Sequence, residues 1–392
     1  MSRIDELIAE LCPNGVEYKK LGEVATISRG GSFQKKDFCE DGVPCIHYGQ
    51  IYTRYGLFAD KTLTFISEDA AKKQKYAVKN DIVMAVTSEN IDDVCKCVAW
   101  LGDDEIAVSG HTAIIHHTLS PKYLCYYFHT AMFYAQKKKL AHGTKVIEVT
   151  PDKLADITIP VPPIEVQTEI VKILDNFTEL SAELTAELTA RKKQYEYYRD
   201  LLLDFGVHGG GTSECKWRTL RTLAEIGTGS SNTNEAVEDG QYTFFVRSQE
   251  PLRKESYEYD ETAIITAGDG VGVGKVFHYI EGKYALHQRA YRIHIVSSDV
   301  MPKFFFYYMK ATFYDYISKA GFHSSVSSIR RPMLNEFLVP VPSIEEQKRI
   351  VSILDRFDKL CNDISEGLPA EIEARRKQYE YYRDKMLSFN EA

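Results

Sequence analysis

The chain has 392 residues and a formal net charge of −8. At roughly 100–200 residues per domain, this length predicts two or three domains. Hydrophobic residues make up 44% of the chain and charged residues 27%, which excludes a mainly disordered protein. No apolar run approaches the ~18 residues of a membrane span, and the first ten residues lack the pattern of a signal peptide. The acidic balance taken alone argues against a nucleic-acid-binding protein.

Eight cysteines are scattered through the chain, and Cys95 and Cys97 form a C-x-C pair that has no second pair to match it. A zinc site is one interpretation of this spacing. Buried or idle thiols in a reducing cytoplasm are favoured over zinc, because a zinc site would need further ligands at a matching spacing. Disulfide bonds are not expected either, because disulfide frameworks occur in much smaller secreted chains. We therefore expect a cytoplasmic protein without a metal site.

Two segments of the chain occur twice. Residues 159–177 (IPVPPIEVQTEIVKILDNF) and 339–357 (VPVPSIEEQKRIVSILDRF) are identical at 12 of 19 positions, and residues 190–205 and 374–389 at 12 of 16. Such identity at a period of 180 residues indicates a duplication. The sequence therefore predicts a first domain (1–158), a central long helix (159–208), a second domain (209–338) and a C-terminal long helix (339–392).

The repeated blocks predict long helices. Each P-x-P segment requires extended backbone, so a helix begins only after it, and Ser343 with Glu346 has the spacing of a capping box. From Ile170 to Phe205 the apolar residues follow the 4,3 rhythm of a coiled coil. Two such stripes in one chain predict that the helices pair with each other in antiparallel orientation. The alternative is that each helix packs only on its own domain.

Each helix carries one irregularity. The second contains four extra residues and the segment Gly367-Leu-Pro369, which predicts a kink or break at Pro369. The first contains a tetrapeptide repeated at 181–184 and 185–188, and each unit adds about 6 Å of helix. This repeat is interpreted either as a spacer of adjustable length or as a helix-favouring sequence that happens to recur.

The glycine-rich segment Gly268–Lys275 (GDGVGVGK) lacks the glycine spacing of a P-loop and of a dinucleotide fingerprint. It is therefore predicted to be a turn at a strand end, and the following segment to be a hairpin that turns at Gly282. The chain shows no H-E-x-x-H, G-x-S-x-G or N-P-P-[YF] motif. We expect no catalytic, metal or cofactor site in this chain, although nucleotide binding at Gly268–Lys275 would favour an enzyme of another type.

Two variable blocks that alternate with two similar helices, each introduced by I/V-P-V-P-x-I-E-x-Q, resemble the specificity subunits of type I restriction-modification systems. The resemblance covers essentially the whole chain. The tetrapeptides and the KQYEYYRD segments resemble one subgroup, in which the number of tetrapeptides is associated with the spacing of two half-targets. The resemblance implies an α+β chain: two similar mixed α/β target-recognition domains separated by two long antiparallel coiled-coil helices.

The same resemblance implies a non-catalytic subunit in which each domain reads one half of a bipartite DNA target. Its implied partners are double-stranded DNA, two modification subunits that bind S-adenosylmethionine and methylate adenine, and restriction/translocase subunits. No cofactor is expected in this chain itself. The alternative is a coiled-coil interaction scaffold that carries two ligand-binding domains and does not recognise DNA.

Candidate DNA contacts are polar residues in loops at corresponding places of both domains. Major-groove recognition uses Arg or Lys for guanine and Asn or Gln for adenine, while Lys and hydroxyl groups hold phosphates. Any one of these residues is alternatively a solvated loop residue. The candidates are Arg29, Gln34, Lys35, Lys36, Ser88, Asn90, His111, Lys137 and Lys145 in the first domain, and Arg247, Gln249, Asp269, Lys275, Gln288, Arg289, His323 and Ser325 in the second.

A second candidate surface lies on the helices. The heptad rhythm directs Tyr195 and Tyr198 inward, so Tyr197 and its copy Tyr381 are predicted to point elsewhere. Exposed aromatic residues beside arginines are common interface anchors. Tyr197, Arg199, Tyr381 and Arg383 are therefore candidate partner-binding residues, and a merely solvated face is the alternative.

The position of the charges removes most of the objection to DNA binding. Residues 17–158 contain 18 basic and 18 acidic residues, and residues 214–338 contain 15 of each. The acidic excess lies in the first 16 residues and in the helical blocks. Because both variable domains are neutral, we expect the chain alone to bind DNA weakly and partner subunits to complete the grip.

Overall fold

A computed structural model describes residues 3–206, 215–319, 328–363 and 365–392. The chain forms two compact units. Unit 1 comprises Met1–Leu184 and Ile372–Ala392, and unit 2 comprises Thr185–Glu371. Each repeated helical block is divided between the two units, so each unit contains the beginning of one block and the end of the other.

Unit 1 is a mixed α/β unit with two five-stranded sheets, ordered β2-β12-β8-β10-β5 and β3-β6-β4-β11-β7. Its helices are α1 (Arg3–Leu11), α2 (Leu21–Val24), α3 (Tyr48–Thr53), α4 (Glu68–Ala71), α5 (Pro121–Tyr127), α6 (Ala131–Leu140), α7 (Pro151–Ala155) and the first part of α8 (Ile164–Leu203). Its strands are β1 (Tyr18–Lys20), β2 (Ala25–Arg29), β3 (Phe38–Cys39), β4 (Val43–Ile46), β5 (Phe58–Ala59), β6 (Thr64–Ile66), β7 (Lys75–Ala77), β8 (Ile82–Ala85), β9 (Thr87–Ser88), β10 (Cys97–Trp100), β11 (Ile106–Val108), β12 (Thr112–His117), β13 (Ile147–Glu148) and β14 (Thr158–Pro160).

Unit 2 is built around one mixed six-stranded sheet, ordered β16-β21-β19-β20-β17-β18. Its strands are β15 (Lys216–Thr219), β16 (Ala224–Thr228), β17 (Tyr242–Phe245), β18 (Leu252–Lys254), β19 (Tyr259–Ala267), β20 (Phe277–Leu286), β21 (Ala290–Ile295) and β22 (Leu338–Val341). The later helices are α9 (Pro302–Lys319), α10 (Arg331–Asn335), α11 (Ile344–Asn362) and α12 (Leu368–Met386), which belongs to unit 1 from residue 372 onward.

The predicted hairpin at Gly282 is wrong. β20 runs without interruption through Gly282, which pairs with Glu261 of β19. Gly282 has a φ of +100°, and a glycine of this conformation inside a strand marks a local distortion of the ladder. The hairpin instead joins β19 to β20 through the glycine-rich segment, so the prediction of a glycine-rich turn between strands is confirmed.

The helical predictions are largely confirmed. α8 is a continuous helix of 40 residues, whereas the second block is divided into α11 and α12. The break lies immediately before Pro369, which occupies the first turn of α12, where a proline leaves no helical hydrogen bond unmade. Ser343 caps α11 by accepting a hydrogen bond from the Glu346 backbone. The fold class, two similar mixed α/β units with long helices, is therefore as predicted.

Within each unit the beginning of one repeated block packs on the end of the other. In unit 1 the rings of Phe177 and Tyr382 stack with centroids 5.8 Å apart, and in unit 2 the copies Phe357 and Tyr198 stack at 5.9 Å. In unit 2 Cys361 lies near the charge of Lys192, while Phe357, one turn earlier, meets Tyr198. The two helical segments of unit 2 therefore run antiparallel.

The duplicated motif P-x-I-E-x-Q has a structural reason. Its glutamine is buried in both units, Gln167 at 2% exposure and Gln347 at 0%. The Gln347 amide donates to the carbonyls of Asp299 (2.7 Å) and Pro342 (2.9 Å), and its oxygen accepts from Met301 N (2.8 Å). Gln347 thus joins the start of α11 to the backbone that leads into α9.

Replacing Gln347 with leucine should lower the free energy of unfolding by about 2–5 kcal/mol, because three backbone groups, one buried and two partly buried, lose the partner that this buried amide provides. Lys348→Ala, at the exposed neighbouring position, is the matched control and should change stability by less than about 0.5 kcal/mol. Urea titration measures both. Equal stability of the two variants would show that the backbone groups find other partners.

The predicted burial of the C-x-C thiols is confirmed. Cys95 and Cys97 are 1% and 3% exposed, and burial raises the pKa of Cys95 to about 12. No group of three metal-ligating side chains converges within the described residues. Nor does any helix in the described parts of the chain combine the length and the apolar composition that crossing a bilayer requires.

Candidate nucleic-acid interface

In unit 2 the loops at one end of the sheet bring two arginines onto one carboxylate. Asp269 follows β19, Arg247 follows β17, and Arg289 lies between β20 and β21. The Asp269 carboxylate accepts from the Arg247 guanidinium at 2.7 Å and from that of Arg289 at 3.3 Å. Burial opposes ionisation of Asp269, but the two guanidinium groups outweigh it and hold the pKa of this carboxyl below its usual value. Asp269 therefore orients two partly exposed cations.

Beside this cluster, Gln288 donates a hydrogen bond from its amide to the Asn232 side chain. Asn232 in turn caps the short 3-10 helix Thr233–Glu235. The neighbouring His287 is buried, and its Nδ1 accepts from the Arg289 backbone at 3.0 Å. Burial first, and then the charge of Arg247, lowers the pKa of His287, so this ring is neutral at neutral pH. The loop that carries Gln288 and Arg289 is thereby held at its base.

The same backbone frame in unit 1 carries different side chains. Val86 N donates to His111 O at 3.0 Å, just as Gly268 N donates to Arg289 O at 2.8 Å. His111 therefore occupies the position of Arg289, and the next residue after Val86, Thr87, occupies that of Asp269. The Thr87 hydroxyl and His111 Nδ1 share a hydrogen bond of 3.0 Å. An Arg–Asp pair in unit 2 is thus a His–Thr pair in unit 1.

Ser88, Asn90 and His111 line one cleft of 360 Å³ in unit 1. The side chains of Asn90 and Asp93 are joined at 2.7 Å. The cleft is also lined by Tyr48, whose ring lies 4.8 Å from that of His111. Three of the sequence candidates are therefore brought together in one concave surface of mixed polar and aromatic lining.

The candidates of the first glycine turn lie close to the same surface. Arg29 donates to Gly110 O at 2.9 Å and forms an ion pair with Glu148 at 2.6 Å. Gln34 caps the 3-10 helix Lys35–Asp37, as Asn232 does in unit 2, and Lys35 and Lys36 are exposed. The pKa of buried His47 is lowered to about 4 by burial and then by the charges of Lys35 and His111, so both groups lie near this histidine.

The remaining candidates are not gathered in the same way. Lys137 is 5% exposed, and its ammonium donates to the carbonyls of Asp92 and Val94 at 2.9 and 2.7 Å. Burial lowers the pKa of Lys137. A lysine this enclosed stabilises the core of unit 1, and its ammonium is not placed to contact a DNA phosphate. Lys145 and Gln249 are exposed, and Lys275 lies 5.6 Å above the Tyr314 ring. His323 and Ser325 lie outside the described residues.

Tyr48 is a member of this surface that sequence reasoning missed. Ser109 N donates to Ile46 O, and His287 N to Phe245 O, so Tyr48 occupies the position of Arg247. A tyrosine after a short strand carries no sequence signal for recognition. Only the register of β4 with β11 and of β17 with β20 reveals the equivalence.

Of the four helical candidates, Tyr197 and Tyr381 are exposed as predicted, whereas the side chains of Arg199 and Arg383 are only 25% and 12% exposed. Tyr197 is 65% exposed and Tyr381 61%, and each ring lies edge-on to the next tyrosine, with centroids 5.4 and 5.3 Å apart. Arg199 lies 5.9 Å from the Tyr195 ring, and Arg383 lies 5.6 Å from that of Tyr379. The two arginines lie along their own helices, whereas Tyr197 and Tyr381 present the same aromatic feature to solvent in both units.

Comparisons with known proteins agree with this architecture. The family model of the type I restriction modification DNA specificity domain matches residues 13–191 and 213–374. The specificity subunit of the EcoR124I/EcoR124II type I restriction enzyme of Escherichia coli is 39% identical over 262 residues, which span 59% of this chain and 63% of that subunit. A putative type I restriction enzyme specificity subunit of Haemophilus influenzae is 33% identical over 275 residues, which span 63% of this chain and 68% of its own.

Among solved structures, the specificity subunit of a type I restriction-modification system from M. genitalium superposes with a TM-score of 0.59 at 15% identity, over 96% of this chain and 97% of its own. This likeness concerns the fold. Two similar mixed units, each of which contains part of both repeated helical blocks, define a duplicated α/β architecture. The chain belongs to the type I restriction-modification DNA specificity family. Its relatives are specificity subunits of type I restriction enzymes, and the alternative of a scaffold that does not recognise DNA receives no support from them.

Proposed function

We propose that each unit reads one half of a bipartite double-stranded DNA target, and that the two halves differ in sequence. The observation that carries this proposal is the pair of equivalent positions, His111 with Thr87 in unit 1 and Arg289 with Asp269 in unit 2. A guanidinium offers the paired donors that suit guanine, whereas an imidazole offers a single donor or acceptor at each nitrogen. Equivalent backbone positions with different donors give one scaffold that recognises two base sequences.

The proposed DNA contacts are the polar side chains of the two loop faces and of the basic loops beside them, without the buried Lys137. They comprise Arg29, Gln34, Lys35, Lys36, Ser88, Asn90, His111 and Lys145 in unit 1, and Arg247, Gln249, Asp269, Lys275, Gln288 and Arg289 in unit 2. Asp269 acts through the arginines that it orients. The functional division into recognition domains 1–158 and 209–338 with helices 159–208 and 339–392 remains part of this proposal.

Partner subunits complete the proposed complex. Two modification subunits dock on the helices around Tyr197 and Tyr381, bind S-adenosylmethionine and methylate adenine, and restriction/translocase subunits add cleavage. Because both recognition domains are electrically neutral, this chain alone binds DNA weakly, and the modification subunits close the clamp. A complex that acts on cellular DNA works in the cytoplasm.

Mapping of methylated adenines across the genome tests the proposal. Cells that contain this chain with its partner subunits should show one motif of two short half-targets separated by unspecified bases. The motif should disappear when this chain alone is deleted. A continuous motif, or a methylation pattern that survives the deletion, would contradict the proposed function.

Deleting residues 185–188 should shorten the gap between the half-targets and leave both half-targets unchanged. The deletion removes about 6 Å of α8 and rotates the following residues by about 40°. At about 3.4 Å per base pair along DNA, the gap should shorten by about one to two base pairs. Methylated-adenine mapping gives the result, and four alanines in place of residues 185–188 are the control of equal length. An unchanged gap in the deletion variant would exclude the spacer interpretation of the tetrapeptide.

A further inference from the structure

Val271 is the most exposed of the large hydrophobic side chains in the described residues of unit 2, at 97% exposure. It stands in the middle of the hairpin loop that joins β19 to β20, two residues after Asp269. A valine at the tip of a loop loses the free energy that burial would provide. It is also the exposed valine of a loop whose base carries the Arg247–Asp269–Arg289 cluster, since Val273 and Val276 of the same loop are buried.

The loop that presents Val271 is held by its own hydrogen bonds. Val273 N donates to Gly270 O at 3.2 Å, and Val276 N donates to Gly272 O at 2.9 Å. Val273 is 3% exposed and fixes the loop to the core of unit 2. A Cβ at Gly272 would lie 2.5 Å from the Arg247 carbonyl oxygen, so the loop packs against the backbone of a proposed base reader. Val271 therefore projects from a defined position beside the two arginines.

The edge of the DNA major groove offers one apolar group, the C5 methyl of thymine. We propose, on the basis of the proposed function, that Val271 packs on a thymine methyl within the half-target that unit 2 reads. Val271 then supplies the apolar part of a recognition surface whose polar part is Arg247, Gln288 and Arg289. It is a specificity-determining residue for one base pair of that half-target.

Unit 1 has a different loop at this place. Nine residues (268–276) separate β19 from β20, whereas eleven residues (86–96) lie between the end of β8 and the start of β10. The exposed side chains of the unit 1 loop, Glu89, Asn90 and Asp92, are all polar, so none of them offers an apolar surface to a thymine methyl. Thymine-methyl recognition is therefore expected of this loop in unit 2 alone.

The test uses the full chain assembled with its modification subunits and DNA duplexes in which each thymine of the half-target is replaced in turn by uracil. The unaltered complex should lose affinity about 3- to 10-fold at one position, as expected for the loss of one packed methyl group. Val271→Ala should lose a similar factor on the thymine duplex and should no longer distinguish uracil from thymine there. Val296→Ala, an exposed valine of unit 2 (56%) outside the loop, should behave as the unaltered chain.

Two results would overturn the proposal. The first is that no uracil substitution in the half-target of unit 2 changes the affinity of the complex. The second is that Val271→Ala lowers the affinity equally for thymine and uracil duplexes, which would indicate that Val271 inserts between bases or contacts the DNA backbone. Arg289→Ala separates these results from a failure of the proposed function. If it also leaves recognition unchanged, unit 2 does not read DNA; if it alone has an effect, only the role of Val271 is excluded.

Discussion

Arg289→Ala is expected to weaken recognition of one half-target by about 10- to 100-fold and to leave the other half-target unaffected. Arginine is the commonest reader of guanine in the major groove, and one good contact contributes about 1–3 kcal/mol of discrimination. The Arg289 side chain is 60% exposed and is held in place by Asp269. The loss should therefore appear in recognition and leave stability within about 0.5 kcal/mol.

The measurement compares methylation of duplexes in which one half-target or the other is scrambled, together with mapping of methylated adenines in cells. Gln288→Ala should affect the same half-target as Arg289→Ala. The matched control is His111→Ala, at the equivalent position of unit 1, which should affect the opposite half-target. If His111→Ala and Arg289→Ala impair the same half, or if both impair neither, the assignment of one half-target to each unit is incorrect.

The double variant Tyr197→Ala, Tyr381→Ala should bind the modification subunits at least about 30-fold more weakly than the unaltered chain. Exposed tyrosines are frequent interface anchors, and truncation of an anchor costs about 2 kcal/mol or more. Each tyrosine is more than 60% exposed in this chain, so its removal should leave folding intact. Each single variant should impair the docking of one modification subunit.

Titration of the purified chain with modification subunits gives the affinity and the number of subunits bound. Tyr197→Phe with Tyr381→Phe retains the ring and should bind nearly as well as the unaltered chain. Glu183→Ala, at an exposed position of α8, should have no effect. If the double alanine variant binds the modification subunits with unchanged affinity, Tyr197 and Tyr381 do not contact them. The two tyrosines would then belong to a merely solvated surface.

The helical frame was predictable because its signals are local. Prolines before each helix, the 4,3 rhythm of apolar residues and the extra residues at Gly367–Pro369 act on backbone within a few residues of themselves. The start of α11, the break before α12 and the exposure of Tyr197 and Tyr381 all follow. The sequence repeat included Gln167 and Gln347 at matching positions. It did not indicate the distant backbone partners of Gln347, because Asp299 and Met301 lie more than 40 residues from it.

The candidate recognition surface was predictable in composition and not in geometry. Polar loops at matching places of both halves contained Asp269, Gln288 and Arg289, and these residues lie at one end of the sheet as the loop pattern suggested. Lys137 belonged to the most basic segment of the first domain but is buried with two carbonyl partners. A lysine on a helix reads the same in sequence whether its ammonium reaches solvent or the core.

The amino-acid sequence by itself determined the class of protein: a neutral pair of variable domains, two copies of one helical block and a family resemblance carried by local motifs. Tertiary structure alone decided that β20 continues through Gly282, where the sequence predicted a second turn. It also decided that His111 stands where Arg289 stands, and Tyr48 where Arg247 stands. These results depend on strand register, which is set by pairing between residues far apart in the chain. A slip of one residue in the register moves each side chain of a strand to the other face of the sheet. No local pattern in this sequence specifies the register.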